Sequence, residues 1–178
     1  MEDIIFSAKQ VQGKKALFGK GRFALQNVDF ELPSGYIMGI IGENGAGKTT
    51  FFRYIMEEKK HYRGSFYDTF DMDQFAALME QMDLTTARTV EKMSRGENMK
   101  FQLAFALAHK PRLLLLDEPT AGMDPIFRKE FYRLLRQQLE VLDCSVIMSS
   151  HLEDDIRKEF DYIGQFEHGE FTSFYENA

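Results

Sequence analysis

At 178 residues with 44% hydrophobic content, the chain is long enough to bury one substantial core and too short for two comfortable domains, so a single domain over 1–178 is expected. Its 22 basic against 28 acidic residues leave a net charge of −6, which gives no overall attraction to a phosphate backbone and disfavours nucleic acid as a partner. The single cysteine, Cys144, reads as a small buried hydrophobe that closes no internal disulfide. The opening Met1-Glu2-Asp3-Ile4-Ile5-Phe6 carries acid where a secretory leader carries base, and no apolar stretch reaches the roughly 20 residues that span a bilayer, so a membrane role is expected to run through a partner.

In chain order, Phe23 to Leu32 alternates apolar and polar positions as a half-buried strand does, and Pro33-Ser34-Gly35 supplies a turn. Tyr36 to Ile41 is a short apolar run that stops at a glycine-rich stretch, after which Lys48 to Lys59 has helical spacing at Phe51, Phe52, Tyr54 and Ile55. Asp71 to Asp83 and Gly96 to His109 repeat the amphipathic pattern. Arg112 to Asp117 is a leucine run ending in carboxylates, Pro125 to Leu142 a long helix opened by proline, and Ser145 to Ser150 another buried strand. Tyr162 to Phe171 reads as a closing hairpin around His168-Gly169. Strands alternating with helices imply a mainly parallel sheet covered on both faces.

Gly42-Glu43-Asn44-Gly45-Ala46-Gly47-Lys48-Thr49, followed by Thr50, matches a phosphate-binding pattern placed between a predicted strand and a predicted helix. Glycines let the backbone turn its N–H groups toward phosphate oxygens, and the helix N-terminus adds positive potential. Lys48 would neutralise the outer phosphates and the Thr49 hydroxyl would hold magnesium. The four fixed positions coincide by chance in roughly one chain in a hundred of this length, and the required strand and helix make coincidence rarer still. Asp117 and Glu118 end a buried strand at the edge where parallel sheets bind ligands. Asp117 is the candidate Mg2+ ligand and Glu118 the candidate base that polarises an attacking water. Met93-Ser94-Arg95-Gly96-Glu97 precedes an apolar helix; taken alone it is a capping box, with Ser94 as N-cap and Glu97 reaching back.

Taken in order, these stretches resemble the ABC ATPase family: Gly42 to Thr49 its Walker A loop, Ser94 to Glu97 its signature, and Leu113 to Glu118 its Walker B strand. Ala121-Gly122-Met123-Asp124 is similar to its D-loop, His151 after Ser149-Ser150 to its switch histidine, and Phe18-Gly19 to the A-loop whose aromatic ring stacks on adenine. The resemblance implies an α/β fold: a P-loop NTPase core with a mainly parallel sheet, an N-terminal antiparallel β portion and a helical subdomain, here reduced, over about 60–92. It implies ATP and Mg2+ as ligands, His151 at the γ-phosphate, and a head-to-tail dimer of like subunits in which Ser94 and Gly96 of one close on ATP held by Lys48 of the other. It also implies a transmembrane permease partner and a place on the inner face of the cell membrane, with the stretch Met93–Asp124 and the ending Asp161-Tyr162-Ile163-Gly164 most similar to bacterial exporter-type subunits.

The sequence departs from the family in two places. Between Lys48 and Ser94 the family carries a further strand, a glutamine-bearing Q-loop and more helical subdomain than this chain holds, with the join near Tyr62 to Asp71. Gln74 and Gln81, the glutamines available there, fall on a predicted helix as solvent-facing polar residues. In the signature, Met93, Arg95 and Glu97 replace the usual leucine, a glycine and the glutamine. The expected function is Mg-dependent ATP hydrolysis that energises export through a permease. The alternatives are a soluble ABC ATPase acting on ribosomes or DNA, which the acidic balance and the lack of coiled-coil arms disfavour, and a non-hydrolysing, nucleotide-gated dimerisation module.

Overall fold

A computed structural model describes residues 3–12, 25–58, 70–84 and 89–177. Its contacts divide the chain into two compact units, the first made of residues 1–63, 113–119 and 145–178, the second of 64–112 and 120–144.

Among the described residues, the first unit holds all the strands. β1 (Ile4–Val11) pairs antiparallel with β2 (Val28–Pro33) in a two-stranded sheet. The five-stranded sheet contains β3 (Ile37–Ile41), β4 (Leu113–Leu116), β5 (Ser145–Ser149), β6 (Tyr162–Glu167) and β7 (Glu170–Glu176), in the order β4-β5-β3-β6-β7. Every pair in it is parallel except the β6–β7 hairpin. The near-continuous apolar composition of β3 and β5 fits strands covered on both faces, and both are buried along almost their whole length. Two helices among the described residues belong to this unit, α1 (Lys48–Glu58) after β3 and α5 (Glu153–Lys158) after β5.

Chain direction creates the crevice. β3 passes its chain on toward β4, whereas its neighbour β5 passes its chain across β3 to β6. Connections that leave adjacent parallel strands in opposite directions open a cleft outside the carboxyl ends, and those ends carry Gly42 and Ser149-Ser150-His151. Beneath the cleft, Phe30, Phe51, Phe166 and Phe171 are buried in one cluster with Met38, Ile40 and Ile147. The Phe30 ring lies 5.5 Å from that of Phe171 and 6.0 Å from that of Phe51, which joins the two-stranded sheet to the central one. Each fully buried side chain of this size contributes about 1.5–3 kcal/mol relative to exposure.

The second unit is helical: α2 (Met72–Gln81), a 3₁₀ turn at Val90–Lys92, α3 (Arg95–Leu107) and α4 (Pro125–Leu142). Each α-helix is opened by a side-chain cap. Asp71 accepts from the N–H groups of Asp73 and Gln74, Ser94 from that of Glu97, and Asp124 from those of Ile126 and Phe127, with Pro125 in the first turn of α4. The buried Lys100 ammonium ties the helices together, donating to Met82 O and to Glu130 Oε1 at 3.1 Å each and lying 4.7 Å from the Phe127 ring centre.

The helix read over Pro125–Leu142 forms as α4, and other expected elements form with shifted ends. Among the described residues, the strand read over Phe23 to Leu32 forms over Val28–Pro33, the closing hairpin runs on to Glu176, and β1, the 3₁₀ turn and α5 are additions to the sequence reading. No helix among the described residues is long and apolar enough to cross a membrane.

Candidate functional site

The glycine-rich loop joins β3 to α1, and its glycines have the backbone the pattern demands: φ is 146° at Gly42, 84° at Gly45 and 122° at Gly47. A Cβ at Gly42 would stand 2.3 Å from the Phe166 carbonyl oxygen, so β6 leaves room for no other residue there. Gly169 N–H donates to Ala46 O at 2.8 Å, which moors the loop to the β6–β7 turn. Lys48 is buried, and its ammonium donates to Gly42 O at 2.7 Å and Glu43 O at 3.2 Å, holding positive charge inside the curl.

Thr49 Oγ1, one residue into α1, donates to Asp117 Oδ2 at 2.9 Å. The other carboxylate oxygen of Asp117 accepts from Ser149 Oγ at 2.6 Å, and that same hydroxyl accepts from Glu118 N–H at 2.8 Å. A hydroxyl and one carboxylate side by side suit Mg2+, a hard cation that takes few protein oxygens and keeps its other positions for water and phosphate. Glu118 takes a left-handed backbone, φ 47°. Its carboxylate stands between two nitrogen groups, Oε1 3.9 Å from Lys48 Nζ and Oε2 3.6 Å from His151 Nδ1. His151 follows β5, where Ser150 Oγ donates to the buried Asp155 and accepts from Leu152 N–H.

In the helical unit, Ser94 and Glu97 close the capping box in both directions, Ser94 N–H donating to Glu97 Oε2 at 2.8 Å. Gly96 lies against the Phe127 ring, where a Cβ would come within 2.7 Å, and the Arg95 guanidinium lies against Gly122, where a Cβ would come within 2.6 Å. Residues 95 and 122 of one chain are thus in contact. A phosphate loop, a capped glycine-bearing helix and an acid pair at the sheet edge occur in the order the resemblance requires, and a model of the ABC transporter family matches residues 25–74 and 67–121. The chain belongs to the ABC transporter family.

Among ABC relatives, the zinc import ATP-binding protein ZnuC of Buchnera aphidicola is 31% identical over 163 residues, 73% of this chain and 68% of its own. The lantibiotic transport ATP-binding protein SrtF of Streptococcus pyogenes is 26% identical over 87% of this chain and 85% of its own. The dimeric structure of MJ0796, a bacterial ABC transporter cassette, matches with TM-score 0.74 at 17% identity, covering 96% of this chain and 97% of that one, a likeness of fold. The chain spans about two thirds of the length of several relatives it matches, ZnuC at 68% among them. The SrtF alignment runs over 196 positions while using 87% of a 178-residue chain, so the relative carries internal residues that this ABC subunit lacks. The family match breaks and restarts at 67–74, overlapping the join read from the sequence at 62–71.

The first unit of this ABC subunit therefore brings together Lys48, Thr49, Asp117, Glu118 and His151. Ser94 and Gly96 belong to the other unit, and Phe18 lies outside the described residues. Gln74 and Gln81 bond within their own unit, Gln74 to Leu107 O at 3.4 Å and Gln81 to Gln137 at 3.2 Å. Beside the phosphate loop, Gly42, Asn44, His151, Ile156, Gln165 and His168 help to bound a cavity of about 610 Å³, within the size range of small-molecule sites. The sequence gives no role of its own to Ser149 or Lys100. The signal for Ser149 was a hydroxyl residue ending a buried strand directly before Ser150-His151; for Lys100, a cation on the buried face of α3.

Proposed function

We propose that this chain binds MgATP on Gly42–Thr49 and hydrolyses it as the ATPase subunit of a transporter, acting on a separate membrane permease. The observation that carries the reading is the joint placement of Thr49 with Asp117 and of Lys48 with Glu118 at one sheet edge. Mg2+, when bound, supplies charge neutralisation and orientation of the phosphates. Thr49 and Asp117 would hold it, and the N–H groups of Asn44 to Thr50 would face phosphate oxygens. Lys48 Nζ would exchange Gly42 O and Glu43 O for outer-phosphate oxygens. Glu118 would accept the proton of the attacking water, with His151 beside it at the γ-phosphate. Equilibrium dialysis with ATP and steady-state phosphate release test this together: the parent should bind and turn over, and Lys48→Ala should lose binding. A parent that binds MgATP tightly without turnover would instead favour the non-hydrolysing dimerisation module.

The same proposal includes a head-to-tail dimer with a second copy or a related ABC subunit, in which Ser94 and Gly96 complete the site on the other chain; the fold likeness to a dimeric cassette supports it. It includes Phe18 as the adenine-stacking ring, one domain over 1–178 with the reduced helical part at about 60–92, and a cytoplasmic position beneath the permease. For direction, the exporter-like stretch Met93–Asp124 favours export, and the similarity to ZnuC, whose name states zinc import, favours the rival. Substrate flux in inverted membrane vesicles containing the permease separates them.

A further inference from the structure

We infer that Ser149 is a positioning residue of the hydrolytic site, holding the metal-binding carboxylate of Asp117 and the backbone of Glu118 through one hydroxyl; this rests on the reading of Asp117 and Glu118 just proposed. Ser149 ends β5, pairs with Ile40 of β3 and is fully buried. A hydroxyl has one proton to give and two lone pairs. Its proton is committed to Asp117 Oδ1 at 2.6 Å, a short charge-assisted bond, and a lone pair accepts from Glu118 N–H at 2.8 Å.

Both bonds bear on geometry that the chemistry needs. Asp117 has two oxygens, and with Oδ1 fixed by Ser149 the carboxylate cannot rotate away from Thr49, which meets Oδ2 at 2.9 Å. Glu118 holds a left-handed backbone, φ 47°, that residues with a side chain rarely adopt. The bond from its N–H to Ser149 is an anchor for that turn, and the turn carries the carboxylate to Lys48 at 3.9 Å and His151 at 3.6 Å. One atom thus orients the metal ligand and the base together, as partners behind a metal ligand commonly do.

A comparable serine stands at the other end of the same strand. Ser145 is equally buried, but its hydroxyl serves Gly35 N–H and Pro33 O at the opposite edge of the sheet. Ser145→Ala therefore reproduces the chemical change and the loss of buried hydrogen bonds without touching the site.

The test uses the full chain as parent, Ser149→Ala, Ser149→Cys and Ser145→Ala. ATP binding is titrated against Mg2+ and repeated in chelator, and amide exchange at Glu118 is followed in metal-free, nucleotide-free protein. Ser149→Ala should need about 10–100-fold more Mg2+ to reach half of the metal-dependent gain in ATP affinity. Its affinity in chelator should match the parent, and its Glu118 amide should exchange faster. Ser149→Cys, which fills the space with a weak donor and acceptor, should shift in the same direction by less, and it decides the matter if the alanine variant does not fold. Ser145→Ala should leave the Mg2+ titration where it was. A folded Ser149 variant with the parent's Mg2+ titration and Glu118 exchange overturns this role while leaving the ATPase reading standing. A parent that binds no ATP at any Mg2+ concentration overturns both.

Discussion

Glu118 joins two properties that substitution can separate. Its backbone sits in the left-handed region at φ 47°, and its carboxylate lies within 4 Å of Lys48 Nζ and His151 Nδ1. Glu118→Gln keeps the shape and removes the charge. ATP affinity should survive while phosphate release falls about a hundredfold to ten-thousandfold, the range that a positioned general base contributes. Turnover equal to the parent's would place the base elsewhere. Asp117→Asn is the contrast, because losing the proposed metal ligand should weaken Mg2+ dependence itself and leave no tightly held, uncleaved nucleotide. At this scale the sequence was legible where chemistry demands fixed residue types at fixed spacing, as in Gly42 to Thr49 and Asp117-Glu118. It gave no role to the Ser149 hydroxyl, because the bonds of that hydroxyl run across strands to residues some thirty positions earlier.

Elements were legible in proportion to their length and punctuation. The eighteen residues of α4, with Asp124 as cap and Pro125 in the first turn, form over the range read from the sequence. α5, with six residues, is too short to show an apolar period, and β1 lacks clean alternation. The cap of α2 gives a prediction with a definite sign. Lys110 is 2.8 Å from Asp71 Oδ2 and holds its carboxyl below the ordinary value, assisted by the N–H groups of Gln74 and Asp73. A lowered folded value means that its stabilisation is complete above the ordinary carboxylate value and is lost as pH falls through the folded one. Asp71→Asn, which still caps, should flatten the acid side of the melting-temperature profile; an unchanged acid limb would refute the pairing. In the same unit, Lys100→Met keeps the stem and removes the bonds to Met82 O and Glu130. It should destabilise by about 1–3 kcal/mol in urea unfolding, the cost of leaving a buried carbonyl unpaired.

At the scale of the whole molecule, the chain carries one phosphate loop and one capped signature helix, Gly42–Thr49 in one unit and Ser94–Glu97 in the other. A helix N-terminus bearing Ser94 and Gly96 is a ready partner for an anion, and a second copy of the chain supplies the anion if it holds ATP on its own Lys48. Glu118→Gln protein with MgATP should then sediment as a dimer, and persistence of the monomer would count against shared sites. Complementation is the sharper test. Ser94→Arg alone spoils the signature half of both sites in its homodimer, and Lys48→Ala alone spoils the phosphate half of both. In the mixed dimer, one site carries both lesions and the other pairs an intact Lys48 with an intact Ser94. Two inactive proteins mixed in equal amounts should therefore regain phosphate release, to about a quarter of the parent's if the chains pair at random and the sites act independently. A site contained within one chain gives no recovery at any mixing ratio.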